Sequence, residues 1–190
     1  MAVSNVLIAN RALQKLGAGR ISSLTQDNPN ARSINAMFES VRDMELRRYD
    51  WSFAIKRASI AADATDETIL STWKRYSLPN DYLKLIRDDE SGTHVDWKIE
   101  GRYILSADAS PLQIRYIARI EDPNLFDSLF VEVFAGRMAI EGCEEITQSV
   151  SKLDSVTAAY DKDISEAKRI GAIEKPAQEP PEDPWLTAMR

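Results

Sequence analysis

The chain has 190 residues, of which 44% are hydrophobic and 28% are charged, the balance of an ordinary globular protein. Its single cysteine excludes an internal disulfide framework, and its single histidine leaves little room for zinc binding or histidine-based catalysis. No apolar run approaches the ~20 residues that a membrane helix needs, and no signal-peptide pattern is visible, so no membrane association is expected.

The net charge of −6 is spread unevenly along the chain. Residues 1–50 carry seven basic and five acidic side chains, whereas residues 121–190 carry seven basic and fifteen acidic ones. Tight binding of duplex DNA requires clustered lysine and arginine, which this distribution does not provide. The acidic C-terminal third indicates either a surface adapted for solubility or one that must not hold DNA.

The first predicted helix covers residues 4–16. Ser4 or Asn5 can cap its N-terminus, and Gly17 occupies the position of a left-handed C-cap. The glycines at 17 and 19 follow a helix rather than a strand, so they do not form a phosphate-binding loop.

The second predicted helix begins at Asn28-Pro29, a cap residue followed by proline at the first helical position, and runs to about Tyr49. Its basic residues could contact phosphate. Because acidic residues separate them, we expect a solvated face or one that forms salt bridges to another subunit instead. These basic residues are Arg42, Arg47 and Arg48.

From Trp51 to about Ile120 the pattern predicts β structure, because apolar and polar residues alternate. Glu100-Gly101 is expected to form a tight hairpin turn. The candidate strands cover residues 51–58, 72–78, 82–87, 94–99, 102–106 and 111–120. Aromatic residues of this region could stack on single-stranded bases, but their spacing favours a role in the core. They are Trp51, Phe53, Trp73, Tyr76 and Tyr82.

Two further helices are predicted at residues 125–145 and 146–170. The first is apolar nearly all round, so we expect burial on several sides, within the fold or against a neighbouring subunit. Gly142 indicates either close packing or a break. The second helix is amphipathic, with Ile146 and Val150 beginning its apolar stripe, and Gly171 is expected to cap it.

The segment of residues 175–190 contains four prolines and three acidic residues, together with Trp185, Leu186 and Met189. It cannot bury these three apolar side chains by itself. Two interpretations remain open: a disordered acidic tail, or an arm that binds a partner through these three residues.

The predicted fold class is α+β. A four-helix bundle would form from the N- and C-terminal helix pairs, residues 1–50 and 121–174. An antiparallel β domain at residues 51–120 would be inserted between the pairs, and residues 175–190 would form an extended C-terminal arm.

The sequence provides little that suits catalysis. Cys143 lies among glutamates that disfavour a thiolate, so an inert cysteine is expected. Glu121-Asp122 before Pro123 resembles a turn more than a catalytic pair. An acidic cluster could bind a metal, although the neighbouring Ser91 and Gly92 favour an ordinary exposed turn. This cluster comprises Asp88, Asp89, Glu90, His94 and Asp96. We therefore expect no enzymatic activity, no metal and no cofactor.

Several short motifs follow one another in an order that is fairly specific. They are Ala12-Leu13, Leu16-Gly17, Ile21-Ser22-Ser23-Leu24, Ala31, Arg42-Asp43, Leu46, Trp51-Ser52-Phe53-Ala54, Trp73, Tyr76, Leu78-Pro79, Asp81, Leu125-Phe126-Asp127 and Ala167-Lys168-Arg169 before Glu174. In these features the chain resembles the tail tubular protein A family of tailed bacteriophages, also called head-to-tail adaptor or gatekeeper proteins. The resemblance covers about residues 5–175 and does not extend to the C-terminal arm.

The resemblance implies a structural protein without catalytic residues. It implies a ring, a dodecamer in the virion, that binds the portal protein above and a tail tube or nozzle protein below. DNA would pass through its channel without sequence-specific binding. The protein would reside in the neck of the virion, after assembly in the host cytoplasm.

Two rival functions remain open at this stage. One is a binding module whose β insert recognises a peptide or a carbohydrate. The other is an enzyme that uses the cluster between Asp88 and Asp96, which is disfavoured because no base, nucleophile and orienting residue occur together.

Overall fold

The fold combines four helices with two small antiparallel sheets, as seen in a computed structural model that describes residues 3–64, 73–86, 97–108 and 110–174. The α+β class with a four-helix arrangement is thereby confirmed. The predicted arm at residues 175–190 lies outside the described residues, as does the first half of the candidate strand 94–99. The elements are α1 (Asn5–Leu16), α2 (Pro29–Arg48), β1 (Ile55–Ile60), β2 (Lys74–Ser77), β3 (Tyr82–Ile86), β4 (Trp97–Glu100), β5 (Tyr103–Ser106), β6 (Leu112–Ala118), α3 (Ser128–Thr147) and α4 (Val150–Ile173).

The caps of the N-terminal helices are those that the sequence predicts. The Ser4 side chain accepts a hydrogen bond from the Leu7 N–H, and Gly17 ends α1 with a φ of 75°. The Asn28 side chain accepts from the Asn30 N–H at 2.8 Å, with proline in the first turn of α2. Each cap satisfies a backbone group that the helix itself leaves without a partner.

The strands form two three-stranded sheets with the orders β1-β6-β3 and β2-β5-β4. The chain that follows β1 joins the two sheets, because Ala62 bridges to Tyr76 across the free edge of β2. A two-residue loop beginning at Gly101, with a φ of 60°, connects β4 to β5. The hairpin turn therefore lies one residue later than predicted, with the glycine at the position that a type II′ turn requires.

The expectation of a strand beginning at Trp51 is wrong. Residues Ser52–Ala54 form a 3₁₀ turn, in which the Ala54 N–H donates to the Trp51 carbonyl at 3.0 Å. Both Trp51 and Ala54 are buried. A strand would place residues 51 and 54 on opposite faces, whereas the turn directs both into the core before β1 begins.

The boundary between the two C-terminal helices was also predicted a few residues too early. Gln148, with a φ of 49°, ends α3, and the Ser149 side chain caps α4 by accepting from the Lys152 N–H. Val150 is consequently 76% exposed rather than part of the apolar stripe. Gly171 does not end α4, which continues to Ile173, and it instead makes room for a neighbouring side chain described below.

The third helix is the centre of the helical unit. α3 packs against α1, α2 and α4, and Phe130, Phe134 and Met138 are fully buried. The predicted burial on several sides is confirmed, and it is achieved within a single chain. A Cβ added at Gly142 would lie 3.2 Å from both Met37 and Ile146, so the expectation of close packing there is confirmed as well.

Candidate functional site

A buried carboxylate lies where α2, α3 and α4 meet. Glu45 of α2 is completely buried, and the Tyr160 hydroxyl of α4 lies 3.0 Å from each of its two oxygens. Arg48 donates to the Tyr160 oxygen at 2.7 Å and lies 3.5 Å from Glu45. The Arg137 guanidinium of α3 approaches Glu45 to 4.0 Å. We refer to these four residues as the Glu45 centre.

The electrostatics of the Glu45 centre follow from burial. Burial raises the pKa of Glu45 above its ordinary value of 4.5, and the Tyr160 hydrogen bond and the arginine charges oppose this only in part. Burial and the adjacent Glu45 carboxylate raise the pKa of Tyr160 well above its ordinary value. Tyr160 therefore keeps its proton and donates a hydrogen bond to Glu45. Glu45 has no exposed surface, and its hydrogen bonds hold α2 and α4 together.

The end of α2 is tied to an aromatic cluster. The indole N–H of Trp51 donates to the Glu45 carbonyl at 3.0 Å. The Trp51 ring packs edge-on against Phe130, with centroids 5.1 Å apart, and the Phe53 ring packs against Phe130 with centroids 5.2 Å apart. The expectation of a core role is confirmed for these two residues and for Tyr76 and Tyr82. Trp73 instead packs beneath the Lys98 ammonium group, 5.1 Å from its ring centroid.

Ion pairs fasten the first sheet to the end of α2. Arg119, just after β6, bonds to Asp43 at 2.7 Å, and Lys84 of β3 bonds to Asp50 at 2.6 Å. Arg42 holds the other oxygen of Asp43 at 2.9 Å and is nearly buried. Arg42 and Arg48 are therefore salt-bridged within the chain rather than to another subunit as expected, while Arg47 is exposed, as a solvated face requires.

Asp81, in the turn before β3, links three parts of the β region. Its carboxylate accepts from Lys56 at 2.7 Å and from the Tyr116 hydroxyl at 3.0 Å, and its carbonyl accepts from the Arg119 N–H. Burial acts to raise the pKa of Asp81, but the two hydrogen bonds outweigh it and leave the pKa below 3.8. Burial and the Asp81 hydrogen bond raise the pKa of Tyr116 to about 12.

A small apolar cleft lies on the surface above the aromatic cluster. It has a volume of about 90 Å³ and is bounded by residues 49–53, by Asp127 and Leu129 at the start of α3, and by α4 residues between 167 and 174. A Cβ on Gly171 would lie 3.1 Å from the Tyr49 hydroxyl, so a side chain there would press on the tyrosine that forms the wall. We call this feature the aromatic cleft.

The residues that the sequence singles out for partner binding are Trp185, Leu186 and Met189, and they lie outside the described residues. The same holds for the possible metal ligands Asp88, Asp89, Glu90, His94 and Asp96. Across the part of the chain that is described, no three histidine, cysteine, aspartate or glutamate residues are grouped to hold a metal ion. None of the described helices is long and apolar enough to span a membrane.

Two other predictions concern residues that the structure describes. Cys143 is fully buried, with its sulfur 3.3 Å from the Thr147 hydroxyl, which fits the expected inert cysteine. Asp122 accepts a hydrogen bond from the Asn124 N–H and begins the 3₁₀ turn Pro123–Leu125. The interpretation of Glu121-Asp122 as a turn is thereby confirmed.

Sequence reasoning missed the Glu45 centre. Its signal was nevertheless present, because Arg137 is a basic residue inside a helix that is otherwise apolar on nearly every side. Such a charge needs a partner when it is buried. The tyrosine in the apolar stripe of α4, Tyr160, was the second indication, since a buried hydroxyl also needs a partner.

No model of a protein family matches the chain, and no curated protein matches it.

Proposed function

We propose that this protein is a structural component of a virion, a head-to-tail adaptor that joins a phage portal to the tail and continues the DNA channel. The observation that carries the proposal is the set of motifs in which the chain resembles the adaptor family, several of which lie at the seam between helices and sheets. Asp43 pairs there with both Arg42 and Arg119, Trp51 anchors the aromatic cluster, and Asp81 links the strands. These motif residues pack and pair, as expected of a protein whose task is assembly.

The buried polar groups support a structural role rather than catalysis. Glu45, the acid with the most unusual environment among the described residues, is sealed inside the helical unit and bonded to Tyr160. A general acid or base must lie within reach of a substrate. The resemblance likewise carries no catalytic residues.

In the proposed assembly, copies of the chain form a ring, expected to be a dodecamer, between the portal and a tail tube or nozzle protein. The net charge of −6 per chain suits a channel through which DNA must slide without being held. The apolar surface of α3 is used inside one chain, so the ring contacts must involve other surfaces. Exposed apolar residues on such surfaces include Leu7 and Val150.

The first experiment measures mass in solution by light scattering, for the chain alone and after mixing with the portal ring of the same virus. The proposal expects the portal to gain a fixed number of 21.4 kDa chains, twelve in the case of a dodecamer. Portal mass that stays unchanged at saturating chain concentration would contradict it. A monomer that does not bind the portal but binds a peptide or carbohydrate saturably would favour the rival binding module.

A substitution in the predicted arm sharpens the test. We expect Trp185→Ala to weaken portal assembly without lowering the free energy of unfolding, because a residue that anchors to a partner does not stabilise the isolated chain. Leu125→Ala is the matched control, since this side chain is 58% exposed in the described structure and is assigned no partner. Equal portal binding by Trp185→Ala, Leu125→Ala and the unmodified chain would remove the arm from the proposal.

A further inference from the structure

The aromatic cleft has the size and chemistry of a site for one apolar side chain. Its volume of about 90 Å³ is well below the roughly 300–1,000 Å³ of small-molecule pockets. Its floor is the aromatic cluster, with Trp51 and Phe53 packed on Phe130. Three acidic residues line it: Asp50, which also pairs with Lys84, Asp127, which also caps α3, and Glu174. The cleft therefore favours an apolar anchor that carries hydrogen-bond donors or positive charge.

The last residues of the chain have this chemistry. Residues 185–190 contain Trp185, Leu186 and Met189 together with Arg190, and they contain no acidic residue. The tryptophan indole presents an apolar ring and a single N–H donor, which suits an apolar cleft with a carboxylate rim. The acidic residues of the segment all precede Pro184 and would remain outside.

The length of the segment between Glu174 and Trp185 indicates whether Trp185 would reach the cleft of its own chain or that of another copy. Glu174 is itself part of the rim, and the C-terminal segment follows it directly in the chain. Residues 176–184 include four prolines, a composition that favours extended polyproline II structure. At ~3.1 Å per residue, nine such residues would span about 28 Å. A spacer of this kind would carry Trp185 away from its own cleft and toward an adjacent subunit.

We propose that the aromatic cleft receives residues 185–190 of a neighbouring copy of this chain. This inference rests on the proposed function, because it names the contact by which one ring subunit would hold the next. In a closed ring, each copy would offer one cleft and one segment, and every cleft would be filled. The contact would be heterologous, joining two different surfaces of the same chain.

The test uses the full-length chain with Trp185→benzoylphenylalanine, a residue that forms covalent crosslinks on illumination. Chains labelled with ¹⁴N and ¹⁵N are mixed, assembled with the portal ring, illuminated and digested for mass spectrometry. We expect crosslinks from position 185 to residues 49–53 or 167–174, in peptide pairs that combine the two isotopes. Crosslinks confined to one isotope, crosslinks to the portal or to other surfaces, or their absence would overturn the proposal.

Two variants on one helix provide the matched control. Ile170→Glu places a carboxylate in the cleft and should reduce the mixed-isotope crosslinks about tenfold, equivalent to ~1.4 kcal/mol. Ile173→Glu makes the same change three residues later, at a position that is 70% exposed, and should leave the crosslinks unchanged. If Ile170→Glu fails to fold, Ser52→Trp serves instead, because Ser52 lines the cleft but is exposed. Equal crosslinking in cleft and control variants would contradict the proposal.

Light scattering on the same samples separates this inference from the function on which it rests. Portal rings that gain chains normally without cleft crosslinks would overturn the cleft contact alone. Cleft crosslinks between copies that never associate with the portal would support the contact and overturn the adaptor function.

Discussion

The hydroxyl of Tyr160 lies 3.0 Å from both carboxylate oxygens of Glu45, across the junction of α4 and α2. The two residues are 115 positions apart in the chain, and both are buried. This hydrogen bond joins the C-terminal helix pair to the N-terminal pair. The contribution of this hydrogen bond to stability therefore reports whether the helices before and after the β region pack as one unit.

The first prediction concerns the loss of this hydroxyl. Tyr160→Phe should lower the free energy of unfolding by about 1–3 kcal/mol, because it leaves a buried carboxylate and the Arg48 guanidinium without a shared partner. Chemical denaturation followed by circular dichroism measures this change. Tyr103→Phe makes the same substitution on a tyrosine that is 39% exposed and should cost less than about 0.5 kcal/mol. Equal losses in the two variants would show that the Glu45 contact does not matter for stability.

The second prediction is a pH dependence with an unusual sign. Burial raises the pKa of Glu45 above 4.5 in the folded protein, so the folded state binds this proton more tightly than the unfolded state does. The stabilisation is complete below pH 4.5 and is lost as the pH rises through the folded pKa. We expect the unfolding free energy of the protein, measured relative to that of Glu45→Gln, to fall across this range. A constant difference between the two proteins would refute the prediction.

Much of the fold could be predicted from local sequence signals. Ser4, Gly17 and Asn28-Pro29 begin or end helices through contacts within a few residues, and such contacts are visible in a single sequence. The turn at Ser52–Ala54 was missed because Trp51 and Ala54 both pack on tertiary neighbours. The local pattern alternates like a strand, and only the packed core distinguishes the two conformations.

The sites depend on pairings that the sequence does not display. Glu45 meets Tyr160 and Arg137 only when α2, α3 and α4 pack together. The wall of the aromatic cleft forms where Gly171 lies against Tyr49. From the sequence alone, this glycine is predicted to end a helix. Distances of about a hundred residues along the chain separate these partners, so spacing carries no signal for them.

The third prediction has the opposite pH dependence. Although burial acts to raise it, the hydrogen bonds from Lys56 and Tyr116 hold the pKa of Asp81 below 3.8. The unfolded state therefore binds the proton more tightly, and the stabilisation present above pH 3.8 is lost as the pH falls through the folded pKa. Asp81→Asn should cost about 1 kcal/mol at neutral pH and less in acid, as measured by chemical denaturation.

A control for Asp81 is available on the surface. Asp27 pairs with Arg32, but its side chain is 94% exposed, so Asp27→Asn should change the free energy of unfolding by less than about 0.5 kcal/mol. If both substitutions have the same small effect at every pH, then the bonds of Asp81 to Lys56 and Tyr116 contribute no more than an ordinary exposed pair.

The fourth prediction compares two glycines in the middle of α3. Alanine in place of glycine favours a helix by up to about 1 kcal/mol, provided that the new methyl group fits. At Gly142 a Cβ would lie 3.2 Å from the Met37 methyl group and from the end of Ile146, and both side chains can move. At Gly136 it would lie 3.3 Å from the Tyr160 ring, which the Glu45 centre holds in place.

The two alanine variants should therefore differ in sign. Gly142→Ala is expected to leave the unfolding free energy unchanged or to raise it, whereas Gly136→Ala should lower it by about 1–3 kcal/mol, the usual cost of overpacking a core. Thermal and chemical denaturation measure both. Combining Gly136→Ala with Tyr160→Phe should cost less than the sum of the two single changes, because each disturbs the same contact. Strict additivity would instead indicate that the ring at position 160 adjusts freely and that the Glu45 centre does not fix its position.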